Sequence, residues 1–327
     1  MVKIFRDKSP INILFLVLLS LGVHFHFFFK APKVVTYAND GIFSVIIEKY
    51  LPASGNPFLV ILYLFIIVLQ AVRINQLLME LKLFQKAGYT VAMTYIILTG
   101  FIVEWGAVTP ALLSNSLLIL IFIMSTKLFN QSNPKTLLFN IGCVVGLTVL
   151  CYHPAAIIIV IVLFTLGIMR SFKLQEWFIL LIGVLLPYYF LGGWLYMHDQ
   201  LDKISSFIPH TSFGLPVLAI NNLFIQSVSV LGLAFFSGII CWQQFSSRLL
   251  IQMRKNWNTL FLMFLVLLAA PFIYKEFGIY TSIMCIVPLS AFISNAFSYP
   301  KRLVFPNLLF LLMMAAVGYN NWYIIKF

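Results

Sequence analysis

Long apolar stretches alternate with short polar connections along the whole chain. A helix needs roughly 20 apolar residues to cross about 30 Å of hydrocarbon at 1.5 Å per residue. Hydropathy, with proline, glycine and charge as boundaries, predicts eleven crossings: 11–29, 58–72, 88–103, 107–126, 136–152, 155–170, 176–196, 226–242, 257–274, 278–297 and 303–323. The pattern therefore predicts an all-α polytopic membrane protein, with residues 1–327 as a single integral domain.

Composition agrees with this class. Hydrophobic residues make up 62% of the 327 positions and charged residues only 9%, whereas soluble domains are about half apolar and a quarter charged. The first stretch, Ile11 to Phe29, lacks a small-residue cleavage pattern and precedes further spans, so we expect a retained helix. Four cysteines without a CxxC pattern predict neither a disulfide framework nor a metal site.

The basic residues predict an orientation. With the N-terminus in the cytoplasm, fifteen of the 21 lysines and arginines, including every arginine, fall on the inner side. The other six, all lysines, fall outside: Lys30, Lys33, Lys49, Lys203, Lys275 and Lys326. Because cytoplasmic connections retain basic residues, the C-terminus is predicted to lie outside. The net charge of +12 is then mainly a topology signal, and no nucleic-acid partner is expected.

Acidic residues gather on the predicted outer side, beginning with Asp40 and Glu48 in the first outer segment. Residues 41–51 between the first two spans predict a short helix lying at the membrane surface, with Gly41, Ser44 and Glu48 on one side. The simplest role of Asp40 is then to cap this helix. The functional alternative makes Asp40 a base or a metal ligand near Glu48, with a divalent metal left open as cofactor.

Three further outer features carry chemistry. The hairpin "FIVEWGAVTP" leaves Trp105 as an aromatic-belt residue and Glu104 as either a solvated charge or a second carboxylate facing Asp40. The polar group after Pro110, Ser114 to Ser116, is expected to face the bundle interior or a cavity. The Asp199 and Asp202 cluster is read first as a solvated loop and otherwise as a lid.

Two histidines stand in the outer part of the first span, in "GVHFHFFFK". His24 and His26 are two residues apart, so on a continuous helix their side chains point about 200° from each other. We therefore expect at most one of them to line a site.

Three stretches of the chain stand out as motifs: "KSPINILFLVLL", "YHP" at Tyr152 to Pro154, and "RSFKLQEWFILLIGVLLPYYFLGGWLYMHDQ" from Arg170 to Gln200. In these stretches the chain resembles a family of multi-pass inner-membrane proteins of Gram-negative bacteria whose function is unknown. The likeness covers roughly the first two thirds of the chain. The resemblance implies a location in the bacterial cytoplasmic membrane and supplies no activity.

The layout also resembles, more loosely, the multi-span glycosyltransferases that use lipid-phosphate sugar donors at the outer face. Those enzymes carry an acidic pair and surface helices in the first outer segment. Here Asp40 matches the acid, but its neighbour is Asn39 rather than a second acid, and the large outer domain is missing. Together with the outward clustering of acids and histidines, this gives a transferase hypothesis in which Asp40 is the base or a metal ligand, Glu104 or Glu48 assists as a catalytic group, and Lys30, Lys33 or Lys49 binds the lipid phosphate.

Two main functional hypotheses follow. The first is transfer of a sugar from a polyprenyl-phosphate carrier to an envelope acceptor, with membrane lipid as the immediate partner. The second is a non-catalytic scaffold or assembly subunit of an envelope complex, with a protein partner. A transporter ranks third, because almost no ionisable residue lies near the middle of a predicted span.

Overall fold

The helices of the computed structural model follow the apolar stretches of the sequence. The structure describes residues 2–37, 40–52, 54–129, 131–216, 221–246 and 249–326. The α-helices are α1 (Val2–Phe5), α2 (Ile11–Val23), α3 (Ile42–Tyr50), α4 (Pro57–Glu80), α5 (Thr90–Thr99), α6 (Pro110–Thr126), α7 (Lys135–Cys151), α8 (Ile157–Met169), α9 (Leu174–Met197), α10 (Asn222–Ser246), α11 (Ile251–Ile273), α12 (Ile286–Ser298) and α13 (Val304–Lys326). Short 3₁₀ segments cover Phe25–Phe28, Val103–Gly106, His153–Ala156, Leu201–Phe207 and Lys275–Cys285.

Among the described residues, six helical segments are long and apolar enough to cross a membrane, which makes this chain a membrane protein. They are α4, α9, α10, α11, α13 and the continuous segment Lys275–Ser298 that ends with α12. The shorter apolar helices are α2, α5, α6, α7 and His153–Met169. The ten residues of α5, for example, rise only about 15 Å, half the hydrocarbon thickness. The eleven predicted segments all contain helix, but length and composition support six as crossings.

Two of the three polar residues that were expected to face the bundle interior in the fourth predicted span are buried, whereas Ser116 is exposed and the prediction was wrong for it. Ser114 and Asn115 on α6 are fully buried. Next to them, Gln70 on α4 donates to the Leu112 carbonyl at 2.8 Å, and its own oxygen accepts from the Tyr95 hydroxyl at 2.8 Å. Such buried amides need partners because unpaired polar groups are costly in an apolar interior.

Helices α7 and α9 pack through glycine. Gly142 and Gly146 on α7 are four residues apart, in the sequence "GCVVG", and therefore share one face of the helix. Gly183 on α9 fits against this face: its Cα lies 2.9 Å from the position of a Cβ added to Gly142. Small residues at this spacing let transmembrane helices approach until their backbones touch. The motif was not predicted from the sequence.

The motif "RSFKLQE" forms an ion pair at the opposite end of the molecule from α3. Arg170 donates from Nε and from one terminal nitrogen to the two carboxylate oxygens of Glu176, at 3.0 and 3.2 Å. The same guanidinium also donates to the carbonyls of Leu128 and Gln131, in the connection between α6 and α7. Arg170 thus ties two turns together, and its role is structural.

We expect Arg170→Ala to lower stability by about 3 kcal/mol, because it leaves the carboxylate of the buried Glu176 without its partner. Thermal unfolding of the detergent-solubilised protein measures the change. Lys173→Gln, in the same turn but exposed, is the matched control and should leave the melting temperature within about 1 °C, since surface substitutions usually cost little. Equal effects of the two variants would contradict this assignment.

Candidate functional site

A cavity of about 420 Å³, here called the lysine cavity, opens at the molecular end that carries the C-terminus of α13. Its polar lining includes His26, Lys30, Lys33, Glu104 and Asn320. Its apolar walls include Phe27, Pro32, Phe101, Ile102, Leu223 and Phe224. Three predicted site residues, Lys30, Lys33 and Glu104, line this one cavity, although they lie up to 74 positions apart in the sequence.

Backbone contacts fix the lysines of this cavity. The amide of Val108 donates to the Lys33 carbonyl at 2.8 Å, and the amide of Val35 donates to the Val108 carbonyl at 3.1 Å. Lys30 lies one helical turn after His26 and donates from Nζ to the Ile324 carbonyl at 2.8 Å. The segment after α2 is therefore pinned to the hairpin on one side and to α13 on the other.

Trp105 positions Glu104. The indole Nε1 of Trp105 donates to the Ser282 hydroxyl at 2.9 Å, and its carbonyl accepts from the Tyr63 hydroxyl at 2.6 Å. Trp105 is only 2% exposed, so the aromatic-belt prediction was wrong: the indole anchors the hairpin inside the protein. Glu104, one residue earlier, is consequently held at the cavity wall.

The lysine cavity combines cationic groups with apolar walls. Within the described residues, neither Lys30 nor Lys33 forms an ion pair with Glu104. The Lys30 ammonium uses one donor on the Ile324 carbonyl and keeps two, so both lysines can still contact an anion. A ligand with a phosphate and a hydrocarbon chain would match both parts of this lining. Lysine binds phosphate as a point charge, without the two-pronged geometry of arginine.

Asp40 lies in a different place from the lysine cavity. It is fully buried, and neither carboxylate oxygen accepts a hydrogen bond of good geometry from the described residues. Burial raises the pKa of Asp40 to about 7, the nearby negative charge of Glu48 adds to the rise, and the Tyr37 backbone N–H works against it. Asp40 is therefore about half protonated near pH 7, whereas an ordinary aspartate is fully ionised there.

The prediction that Asp40 caps α3 was wrong. The helix begins at Ile42, its N-cap residue is Gly41, and no side chain caps its first turn. Gly41 has a φ of +117°, and a Cβ there would lie 2.6 Å from the Cys151 carbonyl oxygen. This close approach to the end of α7, together with a 3.0 Å hydrogen bond from the His153 amide to the Asp40 carbonyl, directs the Asp40 side chain inward.

The helix in the first outer segment is confirmed as α3, but its faces differ from expectation. Ser44 is buried against the protein, whereas Val45 and Ile46 are exposed, so the predicted polar stripe turns inward at its start. Glu48 is exposed and accepts from the Thr36 hydroxyl at 2.7 Å. Lys49 is also exposed, 5.3 Å above the ring of Tyr50, and it does not line the lysine cavity.

Tyr280 separates Asp40 from Glu104. Asp40 lines a narrow cleft with Tyr37, Thr109 and Tyr152, and this Asp40 cleft has no room for a water molecule. Tyr280 lines both the cleft and the lysine cavity. The hypothesis of two carboxylates facing each other across one site is therefore not met: the structure places Glu104 in the cavity and Asp40 behind a tyrosine ring.

The two histidines of the first span come closer together than a continuous helix allows. Because α2 ends at Val23 and a 3₁₀ turn follows, the rings of His24 and His26 have centroids 6.2 Å apart. His24 is buried among Phe27 and Tyr63, and His26 lines the cavity. The geometric reason given from sequence was wrong, although a single histidine does face the site.

Neither a metal centre nor a lid is visible at these positions. Within the described ranges, no three histidine, cysteine, aspartate or glutamate side chains lie close enough to hold a metal ion. The segment Leu201–Phe207, which contains Asp202, has no buried residue and packs on α9 rather than over α3. The solvated-loop interpretation of this acidic cluster fits that position.

Comparisons with other proteins give no family: no protein-family model, curated protein or solved structure matches this chain. What can be said about function therefore depends on the geometry of the lysine cavity.

Proposed function

We propose that this protein is a polytopic bacterial inner-membrane glycosyltransferase that takes a sugar from a polyprenyl-phosphate carrier on the outer face. The supporting observation is the lysine cavity, which combines two lysines, a glutamate and apolar walls in one opening. In the proposed eleven-span topology, the segments that form the cavity all belong to outer connections or outer helix ends. A donor embedded in the outer leaflet would reach it with its phosphate first.

Each part of the cavity lining has a separate role in this proposal. Lys30 and Lys33 bind the phosphate, and the apolar walls contact the first isoprene units. Glu104 supplies the negative charge that balances positive charge developing on the sugar carbon during transfer. Asp40, Glu48 and Lys49, which the sequence also suggested, stand outside this cavity and have no direct part in the proposed site.

Binding of a polyprenyl phosphate tests this proposal. We expect native mass spectrometry of the purified protein to retain undecaprenyl phosphate in preference to phosphatidylglycerol. Each charge-assisted contact is worth about 1.5 kcal/mol or more, so Lys33→Gln should weaken binding roughly tenfold and the double change with Lys30→Gln roughly 100-fold. Lys49→Gln, an exposed lysine of the same outer segment, is the matched control.

Two outcomes would count against the proposal. If the unmodified protein retained undecaprenyl phosphate and phosphatidylglycerol equally well, the cavity would be a general binding surface for anionic lipids. An equal loss of binding in Lys33→Gln and Lys49→Gln would place the phosphate elsewhere.

The scaffold hypothesis keeps one observation in its favour, the isolation of Asp40. An acid with no access to water or to the cavity cannot transfer a proton to a substrate there. If a stoichiometric protein partner copurifies and changes at Lys33 and Glu104 leave assembly intact, the scaffold function is the better one.

A further inference from the structure

Asn321 fixes the orientation of the His26 ring. The Asn321 Nδ2 donates to the Val23 carbonyl at 2.9 Å, and a carbonyl oxygen can only accept, so the amide orientation is set. The Asn321 Oδ1 then faces the Nδ1 of His26 at 2.6 Å. Because Oδ1 is an acceptor, the proton of this hydrogen bond must sit on Nδ1.

In the neutral ring, the other nitrogen, Nε2, is consequently unprotonated and its lone pair can accept a proton. It points toward the hairpin: a Cβ added to Gly106 would lie 3.8 Å from Nε2. Gly106 and His26 both line the lysine cavity beside Glu104. The absence of a side chain at Gly106 leaves this face of the imidazole open to a ligand.

We propose that His26 is the proton acceptor of the lysine cavity and that Asn321 is its positioning residue. This inference rests on the proposed transferase function and assigns a role that the function leaves open. The reacting partner is a hydroxyl group of the sugar acceptor. As its oxygen forms the bond to the anomeric carbon, its proton passes to Nε2, and the bond from that carbon to the phosphate oxygen breaks. The electron pair of this bond leaves with the polyprenyl phosphate.

His26 suits this role better than its neighbours. A general base must be held within hydrogen-bond reach of the proton that it takes, and His26 is held through Asn321. Glu104 lines the cavity, but within the described residues it accepts no side-chain hydrogen bond that would hold it in one orientation. His24 does not line the cavity, because its ring is enclosed by Phe27 and Tyr63. Glu104 instead lies where its charge can stabilise the imidazolium formed in the step.

The tautomer can be measured directly in the intact protein. In ¹⁵N-histidine-labelled protein at pH 8, the His26 signals should show a protonated Nδ1 and an unprotonated Nε2. Asn321→Leu removes the acceptor and should shift this population toward the Nε2–H form, while the exposed His198, which bonds the Trp194 carbonyl, keeps its signals. An Nε2–H form in the unmodified protein would overturn the inference.

Turnover separates this inference from the proposed function. In membrane vesicles that retain the envelope's own hydroxyl-bearing acceptors, with a glucose-carrying undecaprenyl phosphate added as donor, His26→Gln should retain donor binding within about twofold. It should lower acceptor-dependent release of undecaprenyl phosphate by roughly 100-fold, the usual contribution of a general base. Gly106→Leu, which covers Nε2 without changing the histidine, should also lower release. His198→Gln is the control.

The failures are distinguishable. If the unmodified protein binds and turns over the donor and His26→Gln is equally active, His26 is not the base, although the transferase function stands. If the unmodified protein neither binds nor turns over the donor, the transferase function fails and the catalytic role of His26 fails with it.

Discussion

Gly142→Leu is expected to abolish the packing of α7 on α9 and to produce the largest stability loss of any single change considered. A Cβ at this position would lie 2.3 Å from the Leu180 carbonyl oxygen, a backbone atom that cannot move without its helix. The remaining leucine atoms require the helices to separate, which also breaks the contacts of Gly146 and Gly183. Overpacking of this kind costs about 3 kcal/mol or more, which in a chain of 327 residues lowers the melting temperature by roughly 4 °C or more.

Thermal unfolding and size-exclusion chromatography in detergent measure this loss. Gly167→Leu on α8 is the matched control, because its position is exposed and no atom lies within 4 Å of the added Cβ. Leucine is also the better helix former, so the control should be neutral or slightly stabilising. If Gly142→Leu were as stable as Gly167→Leu, the contact between α7 and α9 would not exist as described.

The second large effect is the pH dependence of stability that comes from Asp40. Its pKa is raised by burial from 3.8 to about 7 in the folded protein, so the folded state binds this proton more tightly than the unfolded state. Stability is therefore highest below about pH 4, falls as the pH rises from 4 to 7, and is constant above 7 as far as Asp40 is concerned. A shift of this size corresponds to about 4 kcal/mol.

Asp40→Asn isolates this contribution. Tyr37, Glu48 and Tyr152 are the ionisable groups near Asp40, and the tyrosines do not ionise in this range. We expect the asparagine variant to match the unmodified protein below about pH 4, where Asp40 is protonated in both states, and to exceed it at pH 8, with melting temperature as the measurement. Glu48→Gln, which removes the smaller cause, should retain most of the dependence. Parallel pH curves for Asp40→Asn and the unmodified protein would contradict the burial of an ionisable Asp40.

The candidate site was partly predictable. Lys30, Lys33 and Glu104 could be selected from sequence because charges are rare in this chain and cluster beside the predicted spans. Their meeting depends on the Val35 to Val108 bridge and on the Trp105 anchor, which involve backbone geometry and long-range contacts. The relative placement of His24 and His26 was misjudged, because the pattern gave no sign that α2 ends at Val23 and is followed by a 3₁₀ turn.

By itself, the sequence determined the membrane class, the helical content and the places where helices occur. These depend on local properties: the length of apolar runs and the need of each backbone group for a hydrogen bond within its own helix. The tertiary structure decided which polar groups face one another. A side chain such as Asp40 can serve as a cap, a base or a buried acid according to one backbone angle at Gly41 and the neighbouring end of α7. Those contacts join residues far apart in the chain, where hydrophobic periodicity carries no information.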